Sequence, residues 1–477
     1  MAAFLIGGYF RFANLGRLEI SPDEADSWHA AAAPSIAEVA VRQIPGTRNE
    51  AARIAAESRE TALNLVSPRH GSLPIHELIL HGWIAAFGSS LAAIRSLSAA
   101  LGTLAILLLY ACAEEMLAAG DGGYSPGEAR LAAAAGALIF ALSAVTIKYS
   151  REARMYPLTL AAELAQAALF LRALRRGGTI NYIGLAILTL LAVSVNFSAV
   201  LLPASEALSL LYSSAPAKWR PPSPRFRRAV AVTISLLAPG LILAPVMYAS
   251  LHASAAASTG GLIKWIKPPR FYAPIALFNK ASGSVAFAVL AALAGWGAIA
   301  GWRRGARDGI VFALIWMWAP PVLMLIASYA LTPIFVERYA LSSFAPFFIL
   351  CGVGIAAIPG FRWKAAALAA AVLVSLGHLY VYDRKPHDAQ YREAFAAAEA
   401  NIHSGETAVI VPGYAVEVLR YYMPSSRLES AVTHDSAHGV AILVLGDQNL
   451  SSQAAAEYHA EYPHVIVRLR GVTVLKK

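Results

Sequence analysis

The chain has 477 residues, of which 57% are hydrophobic and only 14% charged, with a formal net charge of +10. A soluble domain carries about 25% charged residues, so this composition excludes an ordinary soluble protein. The positive charge does not mark a nucleic-acid binder, because the basic residues fall in short loops between apolar blocks rather than on one soluble face.

Met1 to Leu15 is the first apolar segment. It lacks a basic start and a small-residue cleavage site, so it does not read as a cleavable signal peptide. It is short for a span and carries Arg11. A tilted helix with Arg11 snorkelling to the outer interface fits that pattern, as does a true start upstream of Met1. The stretch "LEISPDEADSWHA" follows, placing Asp23, Glu24 and Asp26 close to a bilayer edge. Carboxylates are costly there, so the cluster is either a solvated loop or a working site. Ser21-Pro22-Asp23-Glu24 also resembles a helix start, which is the structural reading of the same residues. Residues 74–88 are apolar but short and contain His76, Glu77 and His81. They suit a helix lying at the interface, with the histidines facing headgroups.

Spans of membrane length follow at 95–117, 129–147, 155–173, 180–195, 197–213, 229–250, 275–301, 309–330, 340–358 and 364–382. With the first segment they make about eleven transmembrane helices. The basic connections "RALRRGG", "AKWRPPSPRFRR", "WRRGARDG" and "FRWK" fall at every second loop, which the positive-inside rule makes cytoplasmic. The opposite loops are then external: residues 17–92, "KYSREARMYP", the loop around Asn196, residues 251–274, "TPIFVERYAL" and everything after Tyr382. Cys112 and Cys351 lie inside apolar helices and read as buried small hydrophobes.

After Tyr382 the texture changes. "DAQYREAFAAAEANIHSGE" reads as an amphipathic helix ending before Gly405. Apolar runs at 407–411, 440–445 and 464–469 alternate with helical stretches at 414–422 and 451–460, the pattern of a small α/β domain. Two domains are expected: a membrane domain over 1–382, whose first external loop (17–92) carries interfacial helices, and an extracytoplasmic α/β domain over 383–477. No glycine-rich phosphate loop follows the first apolar run, so no nucleotide cofactor is expected.

Ionisable residues thus gather on the outer side, with carboxylates in one loop and cations in others. That suits transfer of a sugar from a lipid-linked phosphate. A carboxylate takes the acceptor's proton, and fixed positive charge or a metal meets the departing phosphate.

"SPDEADSWHAA", "KYSREARMYPLTLA", "VERYALSSFAPFFIL" and the segment from "HGSLPIHE" onward resemble, in order and spacing, the bacterial family 39-like members of the GT-C glycosyltransferases. These are kin of the protein O-mannosyltransferases and lipid A aminoarabinose transferases. The resemblance implies a polytopic helical membrane enzyme of GT-C type that uses a polyprenyl-phosphate sugar donor, an extracytoplasmic acceptor and inverting transfer. By position it makes Asp23 the catalytic base and Glu24 its neighbour in the pair. It makes Arg151, Arg154, His70 and Arg338 donor-phosphate contacts, with Glu152 and Tyr339 supporting. "GSLPIHE" stands where the family is nearer "PPLYY", which bears on His70. A divalent metal held by Glu24, His70 or Glu152 stays an open expectation. The competing reading is a transporter or lipid flippase; such proteins tend to place charge near the midplane in two related halves, and no halves repeat here.

Overall fold

The computed structural model describes residues 1–36, 38–39, 72–118, 123–213, 224–258, 266–331, 333–384, 389–403, 408–411, 415–423, 429–430, 442–446 and 452–477. It divides into two compact units. The first comprises Met1–Ala13, Ala40–Ile79 and Arg95–Arg384; the second comprises Asn14–Val39, Leu80–Ile94 and Lys385–Lys477.

The first unit is a polytopic bundle. Among the described residues, seven helices are long and apolar enough to cross a membrane, or eight if one bent pair is a single span. Its centre is α14 (Phe344–Ala357). α14 itself is wholly buried among protein, whereas the span Phe361–Arg384 at the periphery is only 17% buried. Glycine permits this enclosure. A Cβ on Gly352 would lie 2.6 Å from the Gly136 nitrogen and overlap the Ala132 carbonyl, so α14 meets α5 (Pro126–Ala141) backbone to backbone. Gly297 makes the same close approach from α12 (Ser284–Arg303) toward the Leu350 carbonyl. Cys112 and Cys351 are free and buried, as expected; Cys351 Sγ donates to the Leu290 carbonyl at 3.2 Å.

Two stretches expected to be continuous are broken. The 129–147 span splits into α5 and α6 (Ala144–Ser150), bent by 63°. The 275–301 span splits into α11 (Ala273–Ser282) and α12 at Gly283, whose φ of +78° an L-side chain rarely adopts. The expected 197–213 span is a short 3-10 turn (Phe197–Val200) followed by α9 (Leu201–Ser213).

Arg11 also departs from expectation. On α1 (Ala2–Phe12) it does not snorkel outward but is fully buried. Its Nη1 donates to the Gly7 and Ala141 carbonyls and its Nη2 to Thr146 Oγ1, each at 3.0 Å. Ala141 ends α5 and Thr146 lies in α6, so the guanidinium bridges the bend. A break in a helix exposes carbonyls without intrahelical partners, and a forked donor is suited to satisfy them.

The second unit carries a five-stranded mixed sheet in the order β2-β1-β3-β5-β4. The strands are β1 (Ala408–Val411), β2 (Glu429–Ser430), β3 (Ile442–Gly446), β4 (His464–Leu469) and β5 (Val472–Lys476). β1 pairs in parallel with β2 and β3, while β5 runs antiparallel to β3 and β4. Val409, Val411, Leu443, Leu445 and Leu475 pack with Tyr458 and Tyr462 to form its core. Its described helices include α16 (Tyr391–Asn401), α17 (Val416–Tyr422) and α18 (Ser452–Glu461).

Candidate functional site

In the second unit, the acidic cluster is a helix, α2 (Pro22–Ala31), begun by a reciprocal capping box. Ser21 Oγ accepts from the Glu24 amide at 3.3 Å, and Glu24 Oε2 accepts from the Ser21 amide at 3.1 Å. Pro22 sits at the first helical position. This arrangement separates the two acids: Glu24 is buried, at 1% exposure, and helps fasten the helix start, while Asp23 is exposed beside it. The start of a helix favours a negative charge, and Asp23 stands in that first turn, on a helix rather than on a loose loop. Asp26 is half-buried further along α2.

In the first unit, the turn between α6 and α7 (Tyr156–Arg176) and the 3-10 segment Glu337–Ser343 bring several cations together around tyrosines. The Arg154 and Arg338 guanidiniums lie 6.0 and 5.9 Å from the centre of one ring, Tyr156, and Arg338 is 5.7 Å from that of Tyr339. Tyr149 meets Tyr156 edge-on at 5.3 Å and carries Lys148 over its face at 4.7 Å. Glu337 joins the group, with Oε2 3.0 Å from Lys280 Nζ and Oε1 3.5 Å from the Tyr149 hydroxyl. Glu152 lies within electrostatic reach of Tyr149. The start of α7 is at the same place, and a helix N-terminus adds its own positive end. Cations outnumber carboxylates here, so the cluster suits an anion.

Sequence-expected residues thus fall into separate roles. Arg154, Arg338 and Tyr339 come together. Arg151 points elsewhere: its Nη1 pairs with Asp383 at 2.8 Å and its Nε donates to the Phe10 carbonyl at 2.9 Å. His70 lies outside the described residues. His76 does not face headgroups as expected; it begins α3 (Ile75–Phe87) at 1% exposure, near Arg154 and the Ala153 backbone. Burial, reinforced by Arg154, pushes its imidazole down to about 3, so it is neutral at physiological pH. Lys280 was hidden from sequence reasoning because it falls inside an apolar run. The glycine at 283, closing "NKASG", was the available sign of a break.

Of the proposed metal donors, Glu24 is engaged in its capping box, and among the described residues no group of three or more His, Cys, Asp or Glu side chains could hold a metal ion. The donor set among the described residues does not fit a metal.

No sequence-family model matches the chain, and no curated protein matches it. Solved structures do. ArnT from Cupriavidus metallidurans in the apo state matches with a TM-score of 0.57 at 12% identity, covering 99% of this chain and 96% of that one. ArnT bound to undecaprenyl phosphate matches with a TM-score of 0.59 at 12% identity and the same coverage. The Archaeoglobus fulgidus oligosaccharyltransferase in complex with zinc and sulfate gives 0.52 at 13% identity, over 81% of this chain and 60% of that one. The chain therefore shares its fold with ArnT: a polytopic helical bundle with a small C-terminal sheet.

Proposed function

We propose that this protein is an integral membrane glycosyltransferase that moves a sugar from a polyprenyl-phosphate donor to an extracytoplasmic acceptor with inversion. The observation that carries the reading is the pair Arg154 and Arg338 on one tyrosine ring, in a fold shared with a protein that binds undecaprenyl phosphate. Lipid phosphate is an anion whose tail stays in the bilayer. Paired guanidiniums suit its head group, and Lys148 and Lys280 add further positive charge.

In this reading Asp23 takes the proton from the acceptor hydroxyl as its oxygen attacks the anomeric carbon. The bond from that carbon to the phosphate oxygen breaks, and the phosphate leaves with the electron pair. Attack from the face opposite the leaving group inverts the anomeric centre. Arg154 and Arg338 stabilise the negative charge developing on the phosphate, the larger catalytic contribution in such transfers. Glu24 fixes the helix that presents Asp23, while Glu152 and Tyr339 border the phosphate cations. Arg151 supports the fold beside them. In this reading the active site and the C-terminal domain are extracytoplasmic, which the alternation of basic loops in the sequence supports.

A second reading, a transporter or lipid flippase, is favoured by buried carboxyls within the bundle. Glu163 bonds Ser342, and Glu206 accepts from Gln166 Nε2 at 2.8 Å. One experiment separates the two. Asp23→Asn in the full chain should abolish release of polyprenyl phosphate from endogenous sugar-linked lipid in membrane vesicles, with binding of undecaprenyl phosphate retained. Undiminished turnover would remove Asp23 as the base, whereas no release of polyprenyl phosphate by the parent protein itself would leave transport ahead.

A further inference from the structure

The helix that carries Asp23 is fastened along its length within its own unit, and one short helix of the sheet domain supplies most of the fastening. At its start, the Ile20 amide donates to the Tyr422 hydroxyl at 3.0 Å. Just before it, Glu19 Oε2 accepts from the Arg392 amide at 3.2 Å, and Arg392 lies 5.8 Å over the Tyr422 ring. In its middle, Trp28 meets Tyr421 edge-on at 5.0 Å. His29 Nδ1 lies 3.5 Å from Glu417 Oε2. At its end, His81 Nδ1 donates to the Ala31 carbonyl at 2.8 Å. Glu417 is only 2% exposed and is also gripped by Arg420 at 3.0 Å. A buried carboxylate with two basic partners is costly to disturb, which makes it a firm anchor rather than an incidental contact.

We infer that α17 is the positioning element of the proposed base, with Tyr422 and Glu417 as positioning residues that set where Asp23 stands. This rests on the glycosyltransferase reading and assigns the sheet domain a part in turnover. The physical reason is geometric: reacting groups must be held near their productive arrangement, and an error of about 1 Å costs on the order of a hundredfold in rate. Asp23 sits within three residues of the Tyr422 bond, so loosening that bond moves the helix start before it moves anything else.

The test compares Tyr422→Phe, Glu417→Ala and Glu417→Gln in the full-length protein. Tyr422→Phe removes only the hydroxyl and leaves the ring against Arg392 and Tyr421. It should lower turnover about three- to tenfold, the equivalent of one hydrogen bond. Affinity for undecaprenyl phosphate, the probe for the cation cluster, should be unchanged in the same variant. Glu417→Ala should lower turnover further, and Glu417→Gln, which keeps an oxygen toward His29 and Arg420, should recover part of it. Amide exchange read by mass spectrometry should rise over residues 19–31 in Tyr422→Phe and Glu417→Ala while strands β3 and β5 stay protected. Unchanged exchange over 19–31, or raised exchange with unchanged turnover, would overturn the inference. Should Asp23→Asn remain active, the functional reading fails with it, and the exchange data still show separately whether the clamp exists.

Discussion

Arg11→Leu is the sharpest test of the bundle, because buried charge can be either a liability or a fastening. Removing a buried cation relieves desolvation, and replacing whole buried ion pairs with apolar residues is often neutral. Here the partners cannot be removed with it: two are backbone carbonyls, Gly7 and Ala141, and the third is Thr146 Oγ1. Thr146 keeps its own bonds to the Phe140 and Ser143 carbonyls at 2.9 and 3.0 Å, so it tolerates the loss. Ala141, at the end of α5, is left without its side-chain donor. One orphaned carbonyl costs about 1–3 kcal/mol and each lost charge-assisted bond contributes about as much again. After the relief of desolvation, a net loss of about 2–4 kcal/mol is expected. Arg11→Lys keeps the charge but not the fork, and should fall between. Unfolding in denaturing detergent measures the stability. Binding of undecaprenyl phosphate should weaken in parallel, because α6 carries Lys148 and Tyr149. A Leu variant as stable as the parent would refute the idea that the guanidinium holds the bend.

Two further outcomes follow from the site. Arg154→Gln and Arg338→Gln should each weaken undecaprenyl phosphate binding about ten- to a hundredfold, the loss of one charge-assisted contact, whereas Arg151→Gln should leave it within about twofold; titration in detergent or nanodiscs distinguishes them. His76 is held neutral when folded, down to about pH 3, while an unfolded histidine protonates near 6.5. Between those values the unfolded chain binds the extra proton, so stability is fully present above about pH 6.5. It then falls by about 1.4 kcal/mol per unit of acidification. His76→Gln should flatten that slope in a pH series of unfolding curves.

Much of the fold could be read from the chain alone, and the exceptions share a cause. Apolar texture located the long helices, and alternation of short runs located β1, β3 and β4 to within a residue or two. β5 escaped because "VTVLKK" ends in lysines and directly follows β4 through the tight turn at Gly471. The breaks at Leu142–Ser143 and Gly283 escaped because hydropathy averaged over a window cannot register a change of direction. Arg11 escaped because its decisive acceptors, Ala141 and Thr146, lie 130 and 135 residues away. At the site, the helix-start reading of Ser21 to Glu24 and the expectation of a working cluster both describe the same residues. The structure distributes them, with Glu24 facing inward to the cap and Asp23 outward. Arg154 and Arg338 stood in recognisable motifs, but only three dimensions could bring them to one ring with Tyr156.

The enclosed span at the heart of the bundle lives in two solvents. During insertion it must partition into lipid by itself, which demands large apolar side chains. In the finished bundle α14 is wholly buried among protein and must admit neighbouring backbones, which demands almost no side chain at all. "FAPFFILCGVGIAA" answers both needs in sequence, bulky residues first and small ones after. Exchanging Gly352 for leucine would make this segment a better membrane inserter and a worse member of the bundle. Hydrophobicity scales would score that change as an improvement.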